Sequence, residues 1–120
     1  MVELDAQLDP VFHALGDRTR RHMLRTLASG EQSVSQLAEP FDMSLAAVSK
    51  HIKVLENAGL IRREVRGRVH LCRLDPGPLA SVQQWLAFYE RFWTDRLTVL
   101  DRLLRDADAS EPTSRKGDKP

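Results

Sequence analysis

From Leu79 onward, Leu79, Val82, Leu86, Tyr89, Trp93, Leu97, Leu100 and Leu104 recur at a spacing of three or four. That is the period of one apolar stripe on an α-helix. The pattern holds for about seven turns, which at about 1.5 Å per residue comes to nearly 40 Å. A chain of 120 residues forms a domain only about 30 Å across, so the stripe outruns the surface its own chain can offer. Part of it is therefore expected to meet a second copy, with Leu79, Val82, Leu86, Tyr89, Trp93, Leu97 and Leu100 in the contact. The aromatic residues Trp85, Phe88, Tyr89, Phe92 and Trp93 in the same run have two readings, a small-molecule pocket or core and dimer packing. Packing is the plainer of the two.

Upstream, the chain reads as several short elements. Leu8, Val11, Phe12 and Leu15 mark a first short helix that Gly16 ends, and Asp17 is a good N-cap for a second helix running to about Ala28. In that second helix Met23, Leu24 and Leu27 are expected inside, while Arg18, Arg20, Arg21 and Arg25 stay in water. Ser33 followed by Gln36 has the form of a capping box, opening a helix that Pro40 keeps short. Ser44 caps a fourth helix with Leu45, Val48, Ile52 and Leu55 on one stripe, and Ala58-Gly59 closes it. Two apolar-rich runs, Leu60 to Val65 and Val69 to Leu74, meet at Arg66-Gly67-Arg68, where glycine permits a tight hairpin. Asp75-Pro76-Gly77-Pro78 then turns the chain into the long helix. Residues 1–107 are expected to form one domain, and residues 108–120, without any apolar repeat, a mobile tail.

Hydrophobic residues at 42% and charged residues at 29% suit a globular domain and exclude wholesale disorder or a fibrous repeat. No apolar stretch reaches the length of a membrane span, and MVELDAQLDP is acidic where a signal peptide would be basic and then greasy. The expectation is a cytoplasmic protein with no membrane partner. The single cysteine, Cys72, forbids an internal disulfide; it reads as a small strand residue, or as a redox switch across a dimer if its thiolate were exposed.

The formal net charge of +1 is unevenly distributed: residues 1–16 carry −3, residues 17–43 are neutral, residues 44–74 carry +5 and residues 75–109 carry −2. The positive quarter coincides with the fourth helix and the hairpin. Two short helices joined by Asp42-Met43 and followed by a basic hairpin make a helix-turn-helix with a wing. A major groove about 12 Å wide admits one helix when the side chains facing it are small or polar. Opposite its apolar stripe the fourth helix, 44–58, carries Ala46, Ala47, Lys50, Lys53, Val54 and Asn57, with Ser44, Ser49 and His51 on its flanks. Alone this is also what any wet helix face looks like. The wing, 62–73, adds Arg62, Arg63, Arg66, Arg68 and Arg73, and an arginine loop beside a groove helix is suited to phosphates or the minor groove. Together they point to double-stranded DNA.

The segments Phe12-His13-Ala14-Leu15-Gly16-Asp17-Arg18-Thr19-Arg20-Arg21-His22-Met23-Leu24, Ser33-Val34-Ser35-Gln36-Leu37-Ala38, Ala47 through Ile61 and Gly67-Arg68 resemble the ArsR family of bacterial winged-helix repressors. The resemblance covers about residues 8–104, with segments in the family's order and spacing. It implies a fold that is mainly α with a small β-hairpin, an α+β winged helix-turn-helix with a long C-terminal dimerisation helix. It also implies a homodimer on a partly palindromic operator, with the first helix contributing Leu8 and Phe12 to the dimer contact. Ser44, Ala47, Ser49, Lys50 and His51 match its groove-reading positions, and Arg66 and Arg68 its wing tip. Asp17, Thr19 and Arg20 match a further motif, read here as a cap and an ion-pair network. Repression by blocking a promoter, including that of its own gene, follows from the resemblance alone.

Metal-responsive members place a cysteine pair near the third helix, or carboxylate and histidine ligands on the last. Here the first region holds no thiol, and Leu79 to Asp108 holds no histidine. His13, His22, His51 and His70 are scattered without helical pairing. No metal and no cofactor is expected, and the chain looks most like the metal-independent members. Nor does any phosphate loop, nucleophile elbow or His-Glu-x-x-His motif suggest an enzyme. The competing binding function is a winged-helix adaptor that acts by protein contact through the aromatic C-terminal helix.

Overall fold

The computed structural model describes residues 2–110. Its elements follow in the order α1 (Val2–Leu15), α2 (Arg18–Ala28), β1 (Gln32–Ser33), α3 (Val34–Ala38), α4 (Leu45–Asn57), β2 (Ile61–Arg66), β3 (Val69–Leu74) and α5 (Gly77–Ser110). The chain is mostly helical, with one antiparallel sheet in the order β1-β3-β2. It divides into two units, Met1–Gln84 and Trp85–Pro120.

Local chemistry caps α2, α3 and α4 at the residues the sequence predicts. Asp17, in extended backbone, accepts the Arg20 backbone N–H at 3.1 Å and caps α2. That bond, foremost, holds its carboxyl below the ordinary value of 3.8. The cap's contribution is therefore present above the unfolded-state pKa and is lost as the pH falls through the lower folded value. Ser33 and Gln36 complete the predicted box, with Ser33 Oγ accepting at 3.1 Å and Gln36 Oε1 at 2.8 Å. Replacing Ser33 by Ala should cost about 1 kcal/mol, read as a lower urea midpoint at unchanged slope. Gly59, at φ 76°, lets the end of α4 close: Leu60 N–H reaches the Leu55 carbonyl at 3.0 Å and Gly59 N–H that of Glu56 at 2.9 Å.

The first unit packs around Met23, Leu24, Leu27, Leu37, Val48, Ile52, Leu55, Leu60, Ile61 and Cys72, with Val11 and Ala14 from α1. Fully burying a side chain such as Ile52 or Leu55 contributes about 1.5–3 kcal/mol, so the inner face of α4 is what locks its outer face in orientation.

Several expectations change. The predicted hairpin is two of three strands, because Gln32 and Ser33 pair with Cys72 and Leu71. A two-residue strand carries no periodic signal, and a capping serine masks it. Leu45, expected on the buried stripe, is 61% exposed, since the first turn of α4 overshoots the core. Val54, placed on the outer side, packs half-buried against the core. Leu8, expected at the dimer contact, is only 2% exposed within a single chain. Its burial is already accounted for without a partner. Leu79 and Val82 likewise pack against the core while remaining partly accessible. Cys72 is buried, which pushes its thiol pKa up and disfavours the reactive thiolate. The long helix continues through Ser110, past the predicted boundary at 107, because nothing in Asp108-Ala109-Ser110 breaks it. The remainder of the predicted tail, 111–120, lies outside the described residues.

In the second unit all described side chains from Trp85 to Ala109 are exposed. Leu86, Tyr89, Trp93, Leu97, Leu100 and Leu104 are 38–60% exposed. Phe88, Phe92, Val99 and Leu103 add a neighbouring row at 50–61%. At 100° per residue the two rows together cover about half of the helix circumference. Trp85 and Tyr89 lie 5.0 Å apart and Phe88 and Tyr89 4.9 Å apart between ring centroids, while the Arg91 guanidinium sits 5.1 Å from the centre of Phe88.

Candidate nucleic-acid interface

Helix α4 starts at Ser44, whose hydroxyl accepts the Ala47 N–H at 3.1 Å, and this turn presents Ala46, Ser49 and Lys50 to solvent. Lys53 continues the exposed side, whereas Ala47 is half-buried. With Val48, Ile52 and Leu55 all fully buried, the exposed positions can point only outward. The outer side is small near its N-terminus and cationic beyond it, which allows close approach to an anionic surface.

His51 is only partly accessible. One ring nitrogen, Nδ1, lies 3.1 Å from Nη1 of Arg20 and 3.8 Å from the Asp17 carboxylate. Arg20, expected to stay in water, instead forks into the end of α1, donating to the Ala14 and His13 carbonyls at 2.8 and 3.0 Å.

Strands β2 and β3 pair in register from Ile61↔Leu74 to Arg66↔Val69, leaving Gly67 and Arg68 as a two-residue turn with Gly67 at φ 61°. Because side chains alternate along a strand, the sheet sorts the wing arginines that composition lumps together. Arg63 lies on the face shared with buried Cys72 and Ile61. There it donates to Glu56 of α4 at 2.9 Å and approaches His70 Nδ1 at 3.4 Å. Arg62, Arg66 and Arg73 lie on the other face, each against a carboxylate: Asp75 at 3.0 Å for Arg62, Glu64 at 3.0 Å for Arg66, and Glu31 at 3.1 Å for Arg73. Glu64 also receives Arg73 at 3.4 Å, and its carboxyl is held below the usual range chiefly by the Arg66 hydrogen bonds.

Of the seven basic residues in 44–74, four are thus neutralised locally. Among the described residues Lys50, Lys53 and Arg68 have no ion pair. The +5 of this segment overstates the charge ready for a partner, because strand alternation places acidic neighbours beside Arg62, Arg63, Arg66 and Arg73. Glu64→Gln should release Arg66 at the wing tip. The expected result is DNA binding about tenfold tighter near 0.1 M salt, with a steeper salt dependence; unchanged binding in a titration would mean that Arg66 never reaches a phosphate.

Between α4 and the wing runs a groove of about 400 Å³, lined in part by Ser35, Leu45, Ser49, Arg68 and His70. It unites the exposed edge of α4 with the wing tip. Ser35 and His70 are additions that the sequence reading missed. His70 was findable from the hairpin register, which sets it opposite Val65 and beside Arg63. Ser35 was not, since only the fold brings α3 to this edge. Among the described residues no group of three or more His, Cys, Asp or Glu side chains could hold a metal ion, and no helix is long and apolar enough to cross a membrane.

Residues 15–64 match a family model described as a helix-turn-helix domain, which spans α2 to most of β2. The chain is 38% identical over 96 residues to the HTH-type transcriptional regulator Rv2034 of Mycobacterium tuberculosis, covering 80% of this chain and 87% of that protein. It is 29% identical over 79 residues to the transcriptional repressor SdpR of Bacillus subtilis, covering 66% of this chain and 88% of that protein. Among solved structures, the crystal structure of an ArsR family transcriptional regulator superposes with a TM-score of 0.71 at 43% identity, covering 75% of this chain and 93% of that chain.

Proposed function

This chain belongs to the ArsR family of winged helix-turn-helix transcriptional regulators, and on that premise we propose that two copies of it grip one partly palindromic operator and repress the promoter they cover. The observation that carries this reading is the outer side of α4, small at Ala46 and cationic at Lys50 and Lys53, standing beside Arg68 at the wing tip, which has no ion pair among the described residues. Each α4 enters a major groove with Ser44, Ala46, Ala47, Ser49, Lys50 and Lys53, and Arg68 meets the backbone or the adjacent minor groove. Arg62 and Arg66 reach phosphates only by leaving Asp75 and Glu64. Arg63 supports the wing through Glu56, so its contribution is to geometry more than to contact.

The second copy is called for by α5, whose two exposed apolar rows are suited to burial against the same helix of a partner; Phe12 of α1, 39% exposed, is offered as a further contact with that copy. On a partly palindromic operator the half-sites lie about 34–36 Å apart, one duplex turn, and a twofold pair is expected to present one α4 to each. A bound pair excludes other proteins from the same stretch of DNA, and this steric exclusion is the repression.

Footprinting of the purified protein on the DNA upstream of its own coding region tests the proposal, in parallel with added zinc and with a chelator. A protected, partly palindromic stretch is expected in all three. Lys50→Ala and Arg68→Ala should each weaken binding to it about tenfold while leaving the sedimentation coefficient of the free protein unchanged; undiminished binding by both removes these assignments.

A further inference from the structure

The Arg20 guanidinium joins three helices. Its Nε and Nη2 donate to the last carbonyls of α1, and its Nη1 lies 3.1 Å from Nδ1 of His51 on α4. A guanidinium has only donors. The nitrogen it meets must therefore accept, and the proton of the neutral imidazole belongs on Nε2. The Asp17 carboxylate does not compete for Nδ1: at 3.8 Å it is beyond hydrogen-bond reach, and it already accepts the Arg20 backbone N–H. Among the described residues nothing accepts from Nε2, although 21% of the His51 side chain is exposed.

The ring sits on the flank of α4, about 100° around the axis from Lys50 on one side and from buried Ile52 on the other. A flanking donor on a groove helix is placed for the sugar-phosphate backbone, whereas base edges lie beneath the centre of the face. We infer that Arg20 is a positioning residue for DNA binding, which holds His51 as the Nε2–H tautomer so that it donates a neutral N–H to a phosphodiester oxygen. The inference rests on the DNA-binding function proposed above. It assigns a role to His51 that its half-buried setting otherwise obscures, and it predicts a contact that carries no charge and releases no counterion.

The tautomer can be read without DNA. Long-range ¹H–¹⁵N correlation spectra of the full chain at pH 8 should show His51 protonated on Nε2 and bare on Nδ1; the opposite tautomer overturns the inference. For binding, His51→Asn keeps an acceptor near Nδ1 but loses the distal donor. It should weaken binding about tenfold on the footprinted duplex and on a scrambled one alike, with the salt slope unchanged. His51→Gln, whose amide reaches the Nε2 position, should restore most of the loss. Arg20→Lys should weaken binding in the His51 chain and do little in the His51→Gln chain, where no tautomer needs setting.

Wild-type affinity in His51→Asn overturns the inference. So does a loss confined to the footprinted sequence, or an Arg20→Lys effect of equal size in both chains, which would mean that Arg20 acts through packing alone. Should Arg20→Lys not fold, judged by its melting curve, the spectra and the Asn and Gln variants still decide. Failure of the wild-type chain to bind any duplex overturns the parent proposal as well, whereas binding with the wrong tautomer overturns only this one.

Discussion

Raising the salt from about 50 to about 200 mM should weaken binding to the footprinted duplex by about 10³-fold. The figure follows from the cations that the fold leaves unpaired. Lys50, Lys53 and Arg68 on each of two chains neutralise about six phosphates, and at about 0.9 counterion released per phosphate the logarithmic slope is about −5. If Arg62 and Arg66 exchange Asp75 and Glu64 for phosphates, about ten contacts form, and the same salt step costs about 10⁵-fold. The measured slope thus reports whether the wing ion pairs open on the DNA. Lys50→Ala should lower the slope by about 1 for each chain in the complex. A protein that works only by gripping an apolar surface through α5 should show almost no salt response, and a flat titration would favour that adaptor over the repressor.

Leu97→Glu combined with Leu100→Glu should separate the pair into monomers and weaken binding to the palindromic duplex by about 10²- to 10⁴-fold. Both leucines are more than half exposed in the single chain, so the substitutions remove nothing from the core that holds α4. Within a paired α5 interface the same carboxylates would be desolvated without partners, a cost that breaks the contact. Each monomer would then bind one half-site without the effective concentration that links it to the second. Sedimentation and gel shift on the full and half sites measure the two effects separately. Monomers that still bind the full site with wild-type affinity would show that pairing is not what confers tight binding.

The aromatic row of α5 belongs to the same physics. Phe88, Tyr89 and Phe92 are exposed together, and although the Arg91 cation lies over two of their rings, Phe88 and Phe92 remain more than half exposed, leaving a broad apolar edge. Packing between copies, as proposed, would use this edge more completely than a small molecule could, because the exposed rows extend to Leu103 and Leu104.

The caps of α2, α3 and α4, the glycine turn and the presence of one long C-terminal helix were legible in the residues because each depends on neighbours a few positions away. The Ser33–Gln36 box, the Ser44 cap and Gly67 at the wing tip are of this kind, and so is the inner face of α4 at Val48, Ile52 and Leu55. What the tertiary structure alone decided is which charges remain available. Arg62, Arg63, Arg66 and Arg73 read as one basic stretch, yet pairing across the sheet and against α4 brings Asp75, Glu56, Glu64 and Glu31 beside them. Arg20 and His51 are 31 positions apart, and no local pattern links them. Backbone form follows from short-range sterics and periodicity, whereas an ion pair or a ring's tautomer depends on groups that meet only when distant segments share one surface.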